Sequence, residues 1–219
     1  VSPNAIGSLS FTPVANAFGV VTITVTVADS GGVANGGVDT LVRTFTVTVT
    51  AVNDPPVFDE FPPDLASVLE DSTTGPLTIT LSDVEGQAIT LISSTGNQPL
   101  FPNANVALGG SGYNRTISFT TATDQNSAIV NPDFTEFNVT AIDAGGAQTT
   151  RTFRVDFVTA VDDAPQFAGG ANQTVAEDAG AQSVAAWATA FQPGPNTATD
   201  EAGQTLVQYT LTQVAGTLA

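Results

Sequence analysis

Val21-Thr22-Ile23-Thr24-Val25-Thr26-Val27 alternates apolar and threonine residues without a break. A period of two sends one set of side chains into a core and the other into water, which is the signature of a half-buried strand. Val, Ile and Thr are branched at Cβ and suit a pleated surface better than a helix. Phe45-Thr46-Val47-Thr48-Val49-Thr50 repeats the pattern, and Phe153-Arg154-Val155-Asp156-Phe157 repeats it again. Turn clusters such as Ser30-Gly31-Gly32, Gly109-Gly110-Ser111-Gly112 and Ala144-Gly145-Gly146 separate such runs. Many short strands at close spacing predict an all-β chain built of sandwiches. One stretch, Val184–Phe191, is alanine-rich around Trp187 and compatible with a helix.

Internal repeats divide the chain. Arg43-Thr44-Phe45-Thr46-Val47 returns 108 residues later as Arg151-Thr152-Phe153-Arg154-Val155. Asn53-Asp54-Pro55-Pro56-Val57-Phe58 returns 109 residues later as Asp162-Asp163-Ala164-Pro165-Gln166-Phe167. Glu70-Asp71 returns as Glu177-Asp178, and Asp29-Ser30-Gly31-Gly32 as Asp143-Ala144-Gly145-Gly146. Asp83-Val84-Glu85-Gly86-Gln87 has its counterpart in Asp200-Glu201-Ala202-Gly203-Gln204. Residues 52–160 therefore make one complete repeat, with strands expected near Ser67–Glu70, Leu77–Leu81, Ala88–Ser93, Asn105–Leu108, Thr116–Thr121, Thr135–Ile142 and Thr150–Phe157. Residues 1–51 carry the C-terminal half of a repeat, and residues 161–219 the N-terminal half.

Composition limits the chemistry. The 219 residues contain 21 acidic and four basic side chains, a formal charge of −17, with no Cys, His or Met. Such a surface repels nucleic acid and anionic membrane and attracts divalent cations. Disulfides, zinc thiolates, histidine ligands and Ser-His-Asp chemistry are excluded. No apolar run is long enough for a membrane-spanning helix, and no signal peptide is visible. The missing initiator Met marks a processed product or part of something longer. With one Trp and two Tyr there is little to build a sugar platform, so the chain reads as a non-enzyme.

The linker Thr48-Val49-Thr50-Ala51-Val52-Asn53-Asp54-Pro55-Pro56, the strand ends Ala28-Asp29-Ser30-Gly31 and Ile142-Asp143-Ala144-Gly145, and the pairs Glu70-Asp71 and Glu177-Asp178 carry a resemblance. The chain resembles the tandem immunoglobulin-like, cadherin-like domains of very large bacterial surface adhesins and extracellular repeat proteins. That resemblance implies seven-stranded Greek-key sandwiches in tandem, an extracellular or cell-surface location, and calcium at the interdomain linkers. The cadherin linker has an Asp two residues before the Asn; Ala51 and Ala160 stand there, which removes one ligand of that site.

The carboxylates support a cation independently. Asp29, Asn53, Asp54, Glu70, Asp71, Asp83 and Glu85 are expected around the first junction, and Asp143, Asp162, Asp163, Glu177, Asp178, Asp200 and Glu201 around the second. Two carboxylates about 4 Å apart repel by roughly 4 kcal/mol at an effective dielectric of 20. A cluster splays a hinge unless a cation sits within it, and Ca²⁺ accepts six to eight oxygens in flexible geometry. The alternative is that these acids are turn formers, caps and solubility charges.

Two functions follow. One is the repeat unit of a stalk, fibre or filament, stiffened by Ca²⁺ and continued end to end by neighbouring copies. The other is an adhesion module that binds a glycan or protein through loops such as Asn97–Asn105 or Gln192–Ala198. Joining Ala215–Ala219 to Val1–Asn4 restores continuous repeat sequence. Each half-sandwich is then completed by a neighbour, within a longer array or by strand exchange between subunits.

Overall fold

The computed structural model describes residues 6–132 and 134–212. It is all-β. The N-terminal segment forms one hairpin, β1 (Gly19–Ala28) with β2 (Thr40–Val49), in unbroken antiparallel register from Gly19↔Val49 to Ala28↔Thr40. The next segment holds β3 (Val57–Glu60), β4 (Val68–Leu69), β5 (Thr73–Ser82), β6 (Thr90–Thr95), β7 (Val106–Ser111), β8 (Asn114–Thr120), β9 (Thr135–Ile142), β10 (Gln148–Val155) and β11 (Val158–Thr159). The C-terminal segment contributes β12 (Gln166–Gly169) and β13 (Ala188–Gln192). The alanine-rich stretch is thus extended rather than helical where it is regular.

The strands from Val57 to Thr159 fold as a Greek-key sandwich of the immunoglobulin-like type. One sheet has the order β3-β5-β8-β7 and the other β10-β9-β6, with β4 added in parallel to β11 along the edge. Each strand expected from the sequence is present, and β3 and β11 are two more that the alternation does not show. The strand expected from Leu77 begins at Thr73, with a register shift between Thr74 and Leu77. Gly75-Pro76 occupies that irregularity because Pro cannot donate to the ladder. Gly75 itself has φ +120°, and a Cβ there would meet Ser118 at 2.8 Å.

The core between the sheets comes from the inward half of the alternation. Phe101, Phe119, Phe137 and Phe153 are buried in one aromatic stack. Phe137 lies flat on Phe153 at 4.9 Å, Phe119 is 4.5 Å from Phe137, and Phe101 meets both edge-on. Ile79, Leu81, Ile117, Val139 and Val155 close around them. Phe101 therefore belongs to the core, and Asn97 in the same loop is buried with its amide donating to the carbonyls of Pro132 and Phe134. That loop is fixed to the scaffold and offers no aromatic to a ligand. Arg151 lies opposite Val139, on the inward face of its strand, and its guanidinium caps the Phe61 ring at 4.9 Å in a cation–π contact.

Candidate metal centre

Strand direction decides which carboxylates meet. β3 and β4 run away from the linker at residues 50–54, β5 returns, and the alternation continues through β10. The β5–β6 and β9–β10 turns therefore lie at the pole nearest the N-terminal segment. The β4–β5 corner, the β8–β9 connection and the exit from β11 lie at the opposite pole.

This corrects the expected grouping. Asp143 belongs with the first junction, where its Oδ2 accepts from Asn53 Nδ2 at 3.0 Å. Glu70 and Asp71 belong with the second. Asp29, placed at the first junction by the sequence reading, sits at the turn end of the hairpin, the full length of β1 away from Val49. There its Oδ1 accepts from Gly31 N at 2.7 Å. Glu177 and Asp178 are exposed in a turn of the C-terminal segment and join neither group.

At the first junction the acids act on backbone. Glu85 accepts from Asp54 N at 3.1 Å, Asp83 Oδ1 from Gln87 N at 2.8 Å, and Asp143 Oδ1 from Ala147 N at 2.9 Å. Asn53 also accepts from the Gln87 amide. The Asp83 and Asp143 contacts close turns and the other two tie the linker to the β5–β6 turn; Asp83 Oδ2 is buried without a partner, but among the described residues no three carboxylates converge there.

The second junction is different. Carboxylate oxygens of Asp71, Asp124 and Asp163 lie within 4.8 Å of one another. That is the separation available to oxygens sharing one Ca²⁺ at 2.3–2.6 Å. Asp71 and Asp124 both take positive φ, 54° each, which turns two loops toward each other, and Asp124 N donates to Asp71 Oδ1 at 3.0 Å. Glu70 is buried behind them, accepting from Val161 N at 2.7 Å and from the Asn126 amide. Across the junction, Asp163 N donates to Glu201 Oε1, the Thr197 hydroxyl to Asp124 Oδ2, and Gln204 Nε2 to Asp162 Oδ1 at 2.7 Å. The Gln192–Ala198 loop is thereby part of the junction: its Gly194 packs against the Glu201 carboxylate, leaving no room for a side chain.

The electrostatics are those of a site with too much negative charge. Asp163 Oδ2, Asp200 Oδ1 and Glu201 Oε2 are buried without a hydrogen-bond partner, and Glu201 is only 2% exposed. Desolvation, followed by the charges of Asp124, Asp71, Glu201 and Glu70, pushes Asp163 up to about 6. Burial also raises Glu70, against the opposing hydrogen bonds from Val161 and Asn126. Among the described residues the ion pair is Arg154 with Asp156, so no arginine neutralises the cluster. A divalent cation satisfies the orphaned oxygens and removes the repulsion, so this donor set fits Ca²⁺.

Asp124 was missed in the sequence. Its signal was present, since an acid in the connection after β8 must lie at the same pole as Glu70 once the strands are counted. Its counterpart 108 residues earlier is Asn16, which also has positive φ, 61°.

No family model matches the chain, and no curated protein matches it. Among solved structures, the chain is similar to immunoglobulin-like and cadherin-like domains. The protocadherin GammaB4 extracellular domain is 22% identical, over 69% of this chain and 23% of that one, with a TM-score of 0.41. The SrpA adhesin from Streptococcus sanguinis is 16% identical over 57% of this chain and 69% of that one, TM-score 0.40. The titin M3 domain is 17% identical over 48% and 95%, TM-score 0.31. At these scores the fold assignment rests on the strand order and register described above.

Proposed function

We propose that the chain is a non-catalytic structural repeat unit of an extracellular stalk or filament, stiffened by Ca²⁺ at its junctions and continued end to end by neighbouring copies. One observation carries the reading: carboxylate oxygens of Asp71, Asp124 and Asp163 converge at the second junction, where Asp163, Asp200 and Glu201 each bury an oxygen without a proton donor. Asp71 and Asp124 belong to the complete sandwich, Asp163 to the linker, and Asp200 and Glu201 to the segment beyond it. These residues would hold the ion. The ion supplies charge neutralisation, which locks the two sides together.

The chain's own residues set the geometry. Asn126 and Val161 fix the buried Glu70, so that its charge stands beneath the site. Glu201 holds the linker at Asp163 N, and Thr197 ties the far loop to Asp124. Removal of the ion leaves like charges adjacent and the hinge free to open.

Extracellular modules bind Ca²⁺ with dissociation constants on the order of 10⁻⁴–10⁻³ M. Titration calorimetry should give saturable Ca²⁺ binding in that range. Small-angle scattering on dilute chain should show a longer, narrower distance distribution with Ca²⁺ than with chelator. No heat of binding together with an unchanged maximum dimension removes the proposal.

A further inference from the structure

Among the described residues, the β1–β2 hairpin repeats β9–β10 without a covering sheet. Ile23 faces Phe45 as Phe137 faces Phe153, and Val25 faces Arg43 as Val139 faces Arg151. In the complete sandwich Phe137, Val139, Phe153 and Val155 are 0–1% exposed; on the hairpin Val21, Val25, Val27, Leu41 and Phe45 are 38–61% exposed. An identical register with an opposite exposure leaves this face without a facing sheet among the described residues.

The sheet that covers this face in the complete domain begins with β3 and β5. Their equivalents are β12 and β13: Gln166 pairs with Gln192 as Val57 pairs with Ser82, and Phe167 takes the place of the buried Phe58. Here Phe167, Trp187, Tyr209 and Leu211 are exposed, with Phe167 edge-on to Tyr209 at 5.5 Å.

We propose that the two bare faces are halves of one sandwich shared between molecules: the β12–β13 side of one copy covers the β1–β2 hairpin of the next. The contact is heterologous, head to tail, so it propagates instead of closing as a symmetric dimer. It rests on the end-to-end repeat reading above and is independent of the cation.

Sedimentation velocity on the full chain tests it, from micromolar to submillimolar concentration, in Ca²⁺ and in EDTA. The parent should form a ladder of oligomers in both. Val25→Asp with Val27→Asp disables the hairpin face; Phe167→Asp with Trp187→Asp disables the other. Each double variant should be monomeric alone, and an equimolar mixture should form dimers and stop there. The urea transition of the complete sandwich, unchanged in both, shows that the core is intact. A parent that stays monomeric, either variant associating alone, or a monomeric mixture overturns the proposal. Loss of Ca²⁺ binding with the ladder intact removes only the metal reading, and loss of the ladder with Ca²⁺ binding intact removes only this one.

Discussion

Asp163 is the residue on which the junction turns. Its folded-state affinity for a proton is raised to about 6 from the ordinary aspartate value of 3.8. Between those values the folded state holds more protons than the unfolded state, so this group's contribution to stability falls as pH rises through the window. In EDTA, thermal stability should therefore decline from about pH 4 to about pH 6, and Asp163→Asn should flatten that decline. At pH 7, Ca²⁺ should raise the melting temperature of the parent by mass action. Asp163→Asn should lose most of that gain. An unaltered pH profile and an unaltered Ca²⁺ response in the variant would show that the side chain does neither job. Gly75 is a second such position, for steric reasons. With φ +120° and Ser118 in the way, Gly75→Ala should cost about 1–3 kcal/mol in urea denaturation. A cost within error would mean that the β5 irregularity relaxes around the methyl group.

At the level of elements, period-two alternation was enough to place the strands of the complete sandwich, because their inward residues are large and their outward ones are mostly threonine. It failed at β3 and β11, strands of four and two residues too short to show a period, and at the start of β5, where Gly75-Pro76 reads as a terminator. The acids were legible as residues but not as neighbours. Listing them by distance along the chain put Asp29, Glu70 and Asp71 at the first junction and Asp143 at the second, whereas the alternation of strand direction does the reverse for the last three. Asp124 was hidden for the same reason, and its positive φ is a property of the folded loop. The aromatic stack gives this level its own test. Phe137 touches Phe101, Phe119 and Phe153, and Phe137→Ala should destabilise the sandwich by about 3–5 kcal/mol in a urea titration. A loss below about 1 kcal/mol would mean that the neighbouring rings close the cavity.

Across the whole molecule, the hairpin and the sandwich offer a controlled comparison. β1–β2 and β9–β10 share register and alternation, and they differ in what lies on the apolar face. In dilute solution, hydrogen exchange should be fast for β1–β2 and slow for β9–β10, because protection follows tertiary burial and not the ladder alone. At concentrations where the copies associate, the hairpin amides should slow towards their counterparts. Equal protection of both hairpins in dilute solution would show that β1–β2 is stable without a cover.

The alternation of strand direction also constrains how such a unit can change over time. An insertion within a loop leaves every carboxylate at its own pole, and the repeat offsets do vary from 107 to 117 residues. Gain or loss of a single strand would invert the poles of everything downstream, sending Asp124 to one end and Asp163 to the other. Lengthening by loops, or by strands two at a time, is the only path along which the junction survives. A designer grafting ligand turns between such sandwiches inherits the same even-number rule.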